Sequence, residues 1–139
     1  AYKAYGELVF SGYNRLSLIL NSMYMLAMKE GKRQKARFLL TKWSDLAAAL
    51  DMGEYRQNAP WIEWAAAEED IELTVDVAAK LLNSVDSLFD FTKSLLYEHL
   101  EFRRTNYPET IKAGLLENFR SGEGWEFVKD DPRWQELIK

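Results

Sequence analysis

Apolar residues recur at helical spacing along most of this chain. Leu16, Ile19, Leu20, Met23, Leu26 and Ala27 follow the three-and-four step of one helix face and predict a helix over about 7–30. Leu18 and Met25 lie off that stripe, so the helix is apolar on more than one side. Such a helix is either central in a bundle or covered by a partner. Gly12 weakens its first turns, and Gly31 is a C-terminal stop signal. Ala36, Leu39, Leu40, Trp43, Leu46, Ala47 and Leu50 predict a second helix over 32–50. The tight connection at Gly31 implies an antiparallel hairpin. Residues 53–59 read as a loop. Pro60 suits a first helical turn, and 60–69 predicts a short helix carrying Trp61, Ile62, Trp64 and Ala65.

The longest predicted element runs over 70–104. Leu81, Leu88, Leu95 and Phe102 recur every seven residues, with Leu82, Phe89 and Leu96 beside them and no proline or glycine between. Ala78, Val85, Thr92 and His99 complete the seam. A helix of that length spans ~50 Å. A compact domain of this size measures roughly 30 Å across. The helix therefore breaks, with Asn83-Ser84 or Thr92 as candidate points, or it projects and needs a cover. Asn106-Tyr107-Pro108 stops it. A short helix over 109–120 follows, with Ile111, Leu115 and Phe119 as its apolar face. After the turn at 121–124 the tail carries Trp125, Phe127, Val128, the helix-start signal Asp130-Asp131-Pro132, and Trp134. The expected architecture is an all-α bundle with main helices 7–30, 32–50, 60–69 and 70–104 and a short helical C-terminal appendage. The bundle occupies 1–120. The aromatic tail 121–139 packs on the bundle or on a partner.

Composition narrows the chemistry. Among 139 residues, 47% are hydrophobic, enough for a real core. A net charge of -4 argues against a general binder of nucleic acid or anionic membrane. With no cysteine there is no disulfide framework, thiolate zinc site, iron–sulfur cluster or cysteine nucleophile. No stretch reaches the ~18 apolar residues of a membrane span. The opening Ala1-Tyr2-Lys3 has no signal-peptide pattern, so the expected location is the cytoplasm. Ala1 fits either a chain that has lost its initiator methionine or an excised fragment. No phosphate-binding glycine loop, zinc motif or nucleophile elbow occurs, and no catalytic residue, metal or cofactor is implied.

Four constellations remain. Lys32, Arg33, Lys35, Arg37 and Lys42, with Lys29 nearby, form a basic cluster that defines a nucleic-acid reading. On a helical wheel, Arg33 and Arg37 flank one side of the apolar stripe and Lys35 and Lys42 the other, as solvated edges of a core do. Glu68, Glu69, Asp70, Glu72 and Asp76 form an acidic run. Glu69, Glu72 and Asp76 share a face and offer oxygens to Mg²⁺. The Glu69/Glu72 and Glu98/Glu101 pairs are the nearest approach to the paired-carboxylate pattern of all-helical nucleotide pyrophosphohydrolases. A Mg-dependent nucleotide hydrolase is thus an alternative, against the plain role of acids at a helix N-terminus. His99 is the only histidine and cannot supply the two Glu-x-x-His pairs of a di-iron bundle. It reads as a seam residue. Finally, Trp61, Trp64, Trp125, Phe127 and Trp134 are candidates for partner contact, weighed against core filling.

The spacing Ala27-x3-Gly31-x4-Ala36-x3-Leu40 resembles the turn inside a tetratricopeptide unit. One unit is visible where a stable array needs about three. The opening Ala-Tyr-Lys-Ala-Tyr with a hairpin and Leu50-Asp51 resembles flagellar export chaperones. The expected function is non-catalytic: an adaptor, chaperone or regulatory subunit that binds another protein or itself. A dimer through the Leu81–Leu88–Leu95 seam is one form of it.

Overall fold

The computed structural model describes residues 1–102 and 106–139, and these form helices without a strand among them. Helix α1 (Tyr2–Lys29) is the longest, and α2 (Arg33–Ala49) turns back beside it. The reversal rests on Gly31 at φ +72°. There the Lys32 N–H donates to the Ala27 carbonyl at 2.8 Å and the Gly31 N–H to that of Met28 at 3.1 Å. This double closure needs a left-handed residue, which glycine supplies without strain. Tyr24, Ala27, Ala36, Leu39 and Leu40 are buried between the two helices, with Leu20, Trp43, Trp61 and Trp64 packed around them.

Residues 54–58, expected as loop, form the short helix α3 (Glu54–Asn58). Five residues lack the length for a periodic signal. Next come α4 (Trp61–Ala67), whose N-cap is Pro60, and α5 (Ile71–Asn83). The Asp70 side chain accepts the Leu73 N–H at 3.0 Å and so fixes where α5 starts.

The expected helix over 70–104 is not continuous. Helix α5 ends at Asn83, and 3-10 turns follow over Val85–Lys93 and Leu95–Tyr97. The last positions of the expected helix, 103 and 104, lie outside the described residues. The break has a polar cause. The Ser84 hydroxyl donates back to the Lys80 carbonyl at 2.5 Å, competing with the helical ladder. Beyond it, polar groups of the segment pair with α3. The Tyr55 N–H donates to Ser87 Oγ at 2.9 Å, and Arg56 Nη1 donates to the Leu88 carbonyl. Val85, Leu88 and Phe91 are buried at a step of three, the period of a 3-10 turn.

Helices α6 (Tyr107–Ser121) and α7 (Pro132–Leu137) complete the chain. Phe119, Val128 and Trp134 bury themselves with Ala78 and Leu82 of α5. A further cluster joins Tyr13, Ala47, Met52, Phe91 and Tyr97. Tyr97 ties this cluster to the end of α2, donating its hydroxyl to the Leu50 carbonyl at 2.8 Å. Among the described residues no helix is long and apolar enough to cross a membrane.

Candidate interaction surfaces

Helix α1 leaves one apolar face uncovered. Leu8 is 66% exposed, Leu16 46%, Ile19 48%, Met23 42% and Leu26 57%, with Tyr5 exposed in line with them. The side packed on the body carries Val9, Phe10, Tyr13, Leu20, Tyr24 and Met28, with Ser17 and Asn21 at its edge. Of the stripe expected to be core, only Ala27 is buried and Leu20 half-buried. At ordinary side-chain areas, the row from Tyr5 to Leu26 exposes roughly 650 Å², above the ~300–600 Å² of a typical monomer's largest patch.

The sequence-predicted residues fall in separate places. Trp134 is fully buried and cannot meet a partner in this conformation. It packs against Phe119 and Trp125 with ring centroids 5.0 and 5.4 Å apart. Trp125 and Phe127 are half-buried against the same cluster, and Trp125 Nε1 donates to Asn118 Oδ1 at 3.0 Å. Trp61 and Trp64 are half-buried and line an open groove of about 740 Å³ shared with Arg37, Glu68, Asp70 and Asp76. The tail is also held by charge. Arg133 donates to both Glu72 oxygens at 2.7 and 2.8 Å and to Asp131 at 3.0 Å. Those hydrogen bonds hold the Glu72 and Asp131 carboxyls below their ordinary range and push the Arg133 guanidinium up.

The basic residues are not gathered on one face. Lys32 pairs with Glu30 at 3.5 Å, Arg33 with Glu68, and Arg37 shares its groove with acids. Lys35 is exposed on the other flank with Lys42, whose ammonium lies 5.3 Å from the Phe38 ring centre. The acidic pairs do not converge either. Glu72 is engaged by Arg133, and Glu98 lies beyond the break beside His99, 3.4 Å from its Nε2. Among the described residues no three His, Asp or Glu side chains are grouped to hold a metal ion. His99 is no seam residue: it is exposed and stacks on Tyr2 at 5.8 Å. Of the expected seam, Leu81 and Leu88 are buried within the chain and only Leu95 is exposed, so the three do not form one surface for a dimer.

Sequence reasoning missed Arg56. It is half-buried on α3 and lines a cavity of about 360 Å³ between α1, α2 and α4. Its Nη1 donates to the carbonyls of Leu88 at 2.5 Å and Met52 at 3.4 Å, and its guanidinium lies 5.3 Å from the Phe91 ring centre. Burial lowers its pKa, and the neighbouring Tyr13, Tyr107 and Tyr55 work in the opposite direction. Burial likewise raises the Tyr13 and Tyr24 hydroxyls, with the Glu63 carboxylate adding to the effect on Tyr24. No periodicity marks a lone arginine in a short helix.

The fold is thus an all-α domain whose longest helix is uncovered on one apolar side. No family model matches the chain, and no curated protein or solved structure does so either.

Proposed function

We propose that this chain is a non-catalytic protein-binding helical domain that works through the outer face of α1, and that the partner seated there is a second copy. The observation that carries the reading is that α1 is apolar on two sides and only one is covered: Val9, Phe10, Leu20, Ala27 and Met28 pack on the body, while the row from Tyr5 to Leu26 stays exposed. An area of roughly 650 Å² per chain approaches the ~800 Å² per partner of a stable interface.

The spacing favours self-pairing. Tyr5, Leu8, Gly12, Ile19, Met23 and Leu26 keep the same intervals when read in either direction. An antiparallel pair centred between Arg15 and Leu16 therefore sets Tyr5 against Leu26, Leu8 against Met23 and Gly12 against Ile19. Nothing lies within 4 Å of where a Gly12 Cβ would be, so Gly12 leaves a gap that the partner's Ile19 fills, twice by symmetry. A parallel pair would instead stack gap on gap. Antiparallel helix dipoles also attract. The two Arg15 side chains meet near the axis but at its wet edge, where salt screens them.

Sedimentation velocity from 5 to 200 μM (about the range a weak dimer spans) tests the reading. The expected result is a concentration-dependent dimer that Ile19→Glu converts to a monomer with unchanged helical circular dichroism. A monomer throughout that range, or a dimer untouched by Ile19→Glu, overturns it.

A further inference from the structure

The pocket beside α1 is lined by Arg56, which among the described residues makes no ion pair with an acidic side chain. Arg56 has no acidic residue among its electrostatic neighbours, which are tyrosines. The guanidinium is half-buried, so the protein meets one part of it and solvent the other. Its bonds to the Met52 and Leu88 carbonyls explain one edge of the group, through Nη1 alone. A guanidinium carries five N–H donors in a planar fork. The Nε and Nη2 donors have no protein acceptor among the described residues and face solvent at the pocket rather than being buried. That unused edge is the geometry a carboxylate or phosphate takes up in a bidentate pair.

The rest of the lining is suited to a small organic anion rather than a bare ion. A volume of about 360 Å³ lies within the range of small-molecule sites. Tyr13, Tyr24 and Trp43 give aromatic walls, and Asn14, Ser17 and Asn21 bring polar groups along one side of α1. Glu63, the acid of the lining, is exposed, so solvent screens its charge from an anion held at Arg56.

We infer that this cavity is a binding site for a small molecule bearing a carboxylate or phosphate, with the free edge of Arg56 as its anchor and the aromatic walls holding its apolar body. The site lies on the inner side of α1 and does not depend on the outer face. Titration of the full chain with benzoate, inorganic phosphate, benzamide and chloride, followed by NMR at the Arg56 Nε–Hε and the Asn14 and Asn21 side-chain amides, tests it. Saturable shifts are expected with benzoate, with phosphate or with both, and the pattern tells carboxylate from phosphate recognition. Benzamide and chloride at equal ionic strength should leave those signals in place. Arg56→Lys keeps the charge but loses the fork, and should weaken binding on the order of tenfold. Should that variant misfold, Asn21→Phe, which fills the cavity and leaves Arg56 in place, should abolish the shifts. No saturable response to benzoate or phosphate, or an equal response to chloride, overturns the inference.

Discussion

Replacing Gly53 by alanine would test the contact that breaks the long helix. Gly53 sits at φ +96° and ψ 160°, a region only glycine occupies comfortably, so a side chain there costs about 1–3 kcal/mol in backbone strain. A second cost is steric. A Cβ at Gly53 would lie 2.4 Å from the Ser87 carbonyl oxygen. That carbonyl cannot simply retreat, because Tyr55 N–H holds the Ser87 hydroxyl and Arg56 holds the next carbonyl, Leu88. Forcing such a shift costs about 1–3 kcal/mol more. The sum, about 2–6 kcal/mol, is a large part of the ~5–15 kcal/mol that stabilises a domain. With a urea dependence of ~1–3 kcal/mol/M, the unfolding midpoint should fall by roughly 2 M. Gly124→Ala is the internal control. Gly124 has φ +98° but nothing within 4 Å of where its Cβ would stand, so only strain remains, about 1–2 kcal/mol. If urea unfolding shows Gly53→Ala no worse than Gly124→Ala, the 85–93 segment does not lie against Gly53, and the account of the break is wrong.

Two further outcomes are expected. The Glu72 and Asp131 carboxyls have lowered pKa values in the folded chain, so their contribution to tail docking is present above the unfolded value of about 4 and is lost as pH falls through the lowered ones. Protection of the α7 amides, relative to their intrinsic exchange rate, should therefore fall below about pH 4, and Arg133→Gln should remove that step; an identical acid step in the variant would show that Arg133 is not its cause. Gly114 lies inside α6 with open space around it, so Gly114→Ala should raise unfolding stability by about 0.5–1 kcal/mol in urea, and a loss would mean the site is not open helix.

The hairpin was legible because each of its signals is local. Gly31 marks the reversal, and the α2 stripe Ala36, Leu39, Leu40 and Ala47 is buried at the positions its period requires. The 70–104 segment was legible in part: its length required a break or a projection, and α5 ends at the candidate point Asn83-Ser84, but the contacts that hold the rest out of the helix are distant. Its heptad is real in the letters, but Tyr55 takes the Ser87 hydroxyl, Arg56 takes the Leu88 carbonyl, and the Ser87 carbonyl lies close to Gly53. Those partners lie some thirty residues upstream, beyond any periodic window. The outer face of α1 was half-legible. Leu18 and Met25 showed that apolar residues exceed one stripe, but periodicity cannot say which of two faces the body covers. Here the body took the side with Tyr13 and Tyr24. The basic and acidic clusters stood out as runs of like charge, yet folding divides each of them among different neighbours. Arg56 carried no signal because what distinguishes it is a missing counter-charge, a property of three-dimensional surroundings.

The docking of the tail on α5 also sets an order of events during synthesis. Ala78 and Leu82 are buried by Phe119, Val128 and Trp134, all made later. At ~5–20 residues per second, a ribosome needs several seconds to pass from Leu82 to Trp134. Throughout that interval the hairpin can close, since its contacts are complete once α2 emerges, while α5 waits with an apolar flank bare. The nascent chain is thus half-folded and adhesive at its growing end, and α7 is the piece that ends this exposure.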